Sequence, residues 1–71
     1  MSGDEFKSIR ERMGLSQMQM AVKADVSIGT IQALESDELN PTARTRGKIA
    51  SAYGVSPNDI ERSDRAIRGA A

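Results

Sequence analysis

The chain has no cysteine, no histidine and no tryptophan, and its 71 residues hold one phenylalanine, one tyrosine and two prolines. Without thiols or imidazoles there is no disulfide, no structural zinc site of the usual ligand set and no Cys or His nucleophile. Two aromatics, Phe6 and Tyr53, cannot fill a core, so Ile, Leu, Val, Met and Ala must do so. No apolar run approaches the roughly 20 residues that cross a bilayer. The segment Met1 to Phe6 carries acids and has no apolar stretch, so it does not read as a signal peptide. The missing cysteine fits a reducing, cytoplasmic setting. An excess of one charge is absent too: ten Lys and Arg stand against ten Asp and Glu. That balance argues against attraction to nucleic acid or acidic membranes by bulk charge.

What is present is frequent punctuation between short apolar patterns. The length allows a single domain, 1–71, with an ordered core of about 4–62 and a short tail, 63–71. Asp4 is positioned to cap a first helix running to about Met13, with Phe6, Ile9 and Met13 on one face and Gly14 as its stop. Ser16 caps a second helix, Gln17 to Ala24, whose inner face is Met20, Ala21 and Ala24. Ser27 caps a third through Glu35, with Ile31 and Leu34 inward. Asn40 before Pro41 closes a loop. Thr42 caps a fourth helix that ends near Tyr53 and Gly54, and Ser56-Pro57 opens a fifth carrying Ile60 and Ile67. No stretch alternates with period two. The expected class is all-α, a compact bundle of four to five short helices.

The pair of helices over 17–35 carries the most information. Ala21 allows two helices to approach closely, and Val26, Ile31 and Leu34 plug the angle between them, which is the pattern of a helix–turn–helix. Around it, Gly14-Leu15-Ser16-Gln17, Val26-Ser27, Thr30-Ile31, Leu34-Glu35, Asn40-Pro41-Thr42, Lys48-Ile49-Ala50 and Tyr53-Gly54-Val55-Ser56 fall at intervals that resemble the phage repressor-like helix–turn–helix domains, of Cro/C1 or XRE type. The resemblance spans roughly Phe6 to Ile60 and implies a lambda repressor-like DNA-binding domain. Its third helix would lie in the major groove of double-stranded operator DNA, usually as a homodimer on an inverted repeat with half-sites about 34 Å apart. It implies a sequence-specific transcriptional regulator, a repressor of phage, plasmid or toxin–antitoxin type.

On that geometry Ser27, Ile28, Gly29, Thr30, Gln32 and Ala33 are the base-reading residues, with Gln32 suited to adenine and Ile28 to thymine methyls. Gln17, Lys23, Thr42, Arg44 and Arg46 are candidates for DNA phosphate. Arg44, Arg46 and Lys48 form a cationic cluster that reads equally as the solvated face of the fourth helix. In the family an arginine at the position of Arg10 often pairs with the glutamate ending the third helix, here Glu35; a direct phosphate contact is the alternative for Arg10.

The sequence departs from the family pattern in four places. Asp25 stands where the turn usually has Gly, a substitution that a residue tolerant of left-handed geometry allows. Ile28, Gly29 and Ala33 lack bidentate groups. The loop Ser36 to Leu39 places Asp37 and Glu38 where phosphate would be, which repels DNA unless the loop swings away. Finally, residues 1–48 carry seven cations and seven acids. These departures keep a second reading open, a protein-interaction module such as an antitoxin or adaptor on the same fold. Leu39, Val55, Ile60 and Ile67 are candidate pairing residues. The Met13, Met18 and Met20 group reads as core filling, with Met18 outward. The acid clusters lack metal-ligand spacing, no motif sets a nucleophile beside a base, and neither enzymatic activity nor a cofactor, metal or small-molecule substrate is expected.

Overall fold

The computed structural model describes residues 1–60, which form four helices and one 3₁₀ turn. They are α1 (Gly3–Arg12), α2 (Gln17–Ala24), α3 (Ile28–Glu35), α4 (Ala43–Tyr53) and the turn Pro57–Asp59. The all-α expectation holds, and no helix among the described residues is long and apolar enough to cross a membrane. The fifth helix is corrected: Ser56 and Pro57 start a single turn, after which Ile60 is extended at φ −99° and ψ 107°. Ile67 and the tail 63–71 lie outside the described residues.

Every helix begins on a hydroxyl side chain that accepts a hydrogen bond from the backbone N–H three residues on: Ser2, Ser16, Ser27 and Thr42. The first is a correction, since Asp4 lies inside the first turn of α1. The signal for Ser2 was the capping box with Glu5, whose carboxylate accepts from the Ser2 N–H at 2.8 Å.

The helix ends are alike too. Gly14, Asp25, Asp37 and Gly54 have φ of 73°, 59°, 63° and 72°. The next N–H in each case reaches back to a carbonyl five residues earlier: Leu15 to Arg10, Val26 to Ala21, Glu38 to Ala33 and Val55 to Ala50, at 3.2, 3.0, 2.8 and 3.0 Å. Two of the four closures use Asp, which tolerates left-handed geometry better than most residues with a side chain.

The core is aliphatic around one aromatic pair, Phe6 edge-on to Tyr53 with centroids 5.3 Å apart. Met20, Ala21 and Ala24 of α2 meet Ile31 and Leu34 of α3 in that core, and the small alanines let the two helices approach. Ile49 and Tyr53 close it from α4. Met13 is not a core residue: α1 stops at Arg12 and Met13 is exposed, while Met18 points outward as expected. Ile60 is buried in the core rather than free for pairing, and Leu39 and Val55 pack partly against it. The Tyr53 hydroxyl is buried without a partner among the described residues. Burial, then the negative charge of Glu35, pushes its pKa up to about 12.

Candidate nucleic-acid interface

The helix–turn–helix is α2 and α3 joined by Asp25, Val26 and Ser27. The back of α3 is fixed to α1 by two contacts distant in sequence. Arg10 Nε and Nη2 donate to Glu35 Oε2 and Oε1 at 2.6 and 3.0 Å, and Nη1 donates to the Leu15 carbonyl at 2.9 Å. The side chains are 10% and 6% exposed, so this is a buried bidentate pair. Burial pushes the Glu35 carboxyl up, but hydrogen bonds from Arg10 and Gln17 outweigh it and hold the group below the usual carboxylate value. The same hydrogen bonding raises Arg10. Of the two readings for Arg10, the geometry matches the ion pair.

The second contact was missed in the sequence. The α1 start lies so close against the α3 end that a Cβ at Gly3 would collide with the Glu35 carbonyl and stand 2.9 Å from that of Leu34. The Gly3 N–H donates to the Asp37 carboxylate at 2.7 Å. Asp37 is therefore a bridge from the loop after α3 to the positive end of α1. Its two signals were faint: a residue able to take positive φ just past a helix, and a glycine at a helix start.

The α2 N-terminus and one flank of α3 share a groove lined by Ser16, Gln17, Met18, Ile28 and Gln32, with Asp4 and Lys7 of α1 and the Arg10–Glu35 pair also facing it. Gln17, expected at phosphate, turns its side-chain nitrogen to Glu35 Oε1 at 3.1 Å. Its backbone N–H, at the first position of α2, has no partner within the helix, since the Ser16 cap takes up that of Gln19. Ser27 and Thr30 bond each other through their hydroxyls at 3.0 Å, and Ser27 Oγ also accepts the Thr30 N–H. Gly29 and Gln32 are exposed, and Ile28 and Ala33 are half-buried. The six base-reading candidates thus lie together on and around the first two turns of α3.

The phosphate candidates divide. Thr42 is spent on capping, bonding the Thr45 hydroxyl and N–H. Arg44 is exposed and Arg46 half-exposed in the first turn of α4. Lys23 is exposed in the last turn of α2, roughly 9 Å along the axis from Gln17. Lys48 leaves the expected cluster, donating to the Asp25 carbonyl and carboxylate at 3.0 and 3.2 Å. Glu5, Asp25, Glu35 and Asp37 accept hydrogen bonds from the protein itself, but of these four only Glu35 is taken out of solvent, and the Asp25 side chain is 88% exposed. Among the described residues Lys7, Arg12, Lys23, Arg44 and Arg46 make no ion pair. Most acids among the described residues are exposed as well, so the surface has no cationic excess and any contact with an anion falls to individually placed cations such as Arg44 and Arg46.

Known proteins fit this arrangement. A family profile described as helix-turn-helix matches residues 6–60. The immunity repressor protein of Bacillus phage phi105 is 32% identical over 66 residues, covering 93% of this chain and 46% of that protein. The chain thus spans about half the length of that relative. Among solved structures, the restriction-modification controller protein C.AhdI from Aeromonas hydrophila superposes with a TM-score of 0.68 at 22% identity, over 83% of this chain and 89% of that one. A chain of the SinR protein/SinI protein complex gives 0.69 at 24% identity, over 99% and 78%. These two likenesses concern the fold.

Proposed function

This chain belongs to the helix–turn–helix family, and from that premise we propose that it is a sequence-specific DNA-binding regulator of transcription that acts as a repressor. In this reading α3, with Ser27, enters the major groove of an operator, and a dimer on an inverted repeat blocks the promoter. The observation that carries it is the helix–turn–helix geometry of α2 and α3, with two cations in the first turn of the neighbouring α4. Two of the acids near α3, Glu35 and Asp37, are bound to Arg10, Gln17 and the α1 N-terminus. The base-reading face of α3 and the N-terminus of α2 stand open, and Arg44 and Arg46 lie in the first turn of α4. The acidic loop, the motive for a protein-interaction reading, is half accounted for by the bond from Gly3 to Asp37. The protein acts without catalysis or cofactor, in the cytoplasm.

Selection of duplexes from a random pool tests this reading, followed by titration of the enriched sequence at several salt concentrations. Enrichment of a palindromic site with affinity falling steeply with salt is the expected result. A pool that stays random through repeated rounds at low ionic strength sinks it. Sedimentation with and without the selected duplex reads the dimer.

A further inference from the structure

The base-reading face of α3 is unusual in what it offers, and this bears on the bases it takes; the inference rests on the DNA-binding reading above. We propose that α3 reads A·T pairs, packing thymine methyl groups on Ile28 and Ala33 and holding an adenine edge with Gln32, and that it makes no guanine contact of its own.

Guanine presents the acceptors O6 and N7 in the major groove, and its usual bidentate partner is Arg or Lys. From Ile28 to Leu34 the helix has no charged residue, and its one charge, Glu35, lines the same groove as Ile28 and Gln32 but is taken up by Arg10 and Gln17. Lys7 faces the groove from α1, where it lies near Glu35. The hydroxyls are committed as well. Ser27 and Thr30 bond each other, and Ser36 Oγ donates toward the Ala33 carbonyl and the Glu38 carboxylate at 3.3 and 3.1 Å.

One polar side chain remains. Gln32 is exposed, and its amide makes no hydrogen bond among the described residues. An amide offers donor and acceptor side by side, the complement of adenine N7 and N6. Beyond Glu35 and the paired hydroxyls, what α3 itself presents is apolar or bare, and the further charges in its groove, Asp4, Lys7 and Arg10, come from α1. Ile28 lies one turn before Gln32 on the same flank, and Met18, 57% exposed, lines the same groove. Gly29 is exposed, and a Cβ there would meet only Ser27 Oγ, at 3.7 Å, so the helix backbone can approach the base edges closely. The apolar group that base edges offer in the major groove is the thymine methyl. An aliphatic flank beside a single amide therefore matches thymine next to adenine.

The test uses the full chain and the duplex selected above, with single modified bases. Replacing a contacted thymine by uracil removes only the methyl and should weaken binding about fourfold. In Ile28→Ala, and partly in Ile28→Val, that uracil penalty should shrink at one defined position. Replacing the adenine by 7-deazaadenine should weaken wild type about tenfold and leave Gln32→Ala unchanged. The modified duplexes act on the wild-type protein, so the result does not depend on a variant folding. Equal binding of uracil and thymine duplexes overturns the proposal, as does a large loss on replacing guanine by 7-deazaguanine that persists when the cations outside α3 are removed. In either case a duplex is still selected and DNA binding stands. A pool that never enriches removes the DNA-binding reading itself, and this inference with it.

Discussion

The two sides of α3 are built on opposite principles. Its back, against α1, is dense with ionic and polar groups that satisfy one another: Arg10, Glu35 and Gln17 at one point, Gly3 and Asp37 at another. Its outward face has almost no polar group to spare, and the cations that flank it sit on other helices. The difference shows that the charge a chain carries and the charge it presents are separate quantities. Pairing at the seam takes Arg10 and Glu35 out of solvent together, so what can meet an anion is a few placed cations, Arg44 and Arg46 foremost, and not an excess of charge.

If that division is right, seam substitutions change stability and flanking substitutions change affinity. The largest effect belongs to Arg10→Ala, which leaves Glu35 buried without its partner and should cost about 3–5 kcal/mol in urea unfolding. The pair also sets an acid limit. Glu35 has a folded pKa below its unfolded value of about 4.3, so its contribution is complete above that pH and is lost as pH falls through the folded value. The difference in melting temperature between wild type and Glu35→Gln should accordingly shrink below about pH 4.

Next comes Gly3→Ala, where the new methyl meets the carbonyls of Leu34 and Glu35; roughly 1–3 kcal/mol of lost stability is expected from the overpacking. A melting temperature equal to wild type would mean that α1 is not pressed against the α3 end. On the other side, Arg44→Ala with Arg46→Ala should leave stability within about 0.5 kcal/mol and flatten the salt dependence of DNA affinity by about two phosphate contacts. A loss of stability larger than that of Gly3→Ala would erase the distinction between seam and flank. The smallest effect is Tyr53→Phe, which removes a buried hydroxyl lacking a partner and should be neutral or stabilising by up to about 1 kcal/mol in the same urea titration.

Local chemistry was legible wherever one residue type carries one meaning. Ser16, Ser27 and Thr42 are caps by their hydroxyls, and Gly14 and Gly54 are stops by their freedom at positive φ. Where two residues compete locally the reading slipped, as with Asp4 against Ser2. Ser56-Pro57 likewise starts a helical turn without saying that Ile60 will leave it for the core. The site showed the same division. The base-reading candidates cluster because they sit on consecutive turns of one helix. Thr42 is taken up locally by the cap the sequence already showed, whereas Gln17 and Lys48 look available in the sequence and are taken up by partners chosen in three dimensions.

The sequence by itself determined α2, α3 and α4 with their caps, the presence of α1 and a helix–turn–helix at 17–35, because hydrogen-bond capping and helical period act over a few residues. Only the tertiary structure decided which charged groups find partners. Arg10 and Glu35 are 25 residues apart, Gly3 and Asp37 34, and Asp25 and Lys48 23. No local rule pairs groups at such separations. They meet because burying Phe6, Met20, Ile31, Leu34 and Ile49 in one core brings α1, α3 and α4 to the places where those charges can find each other.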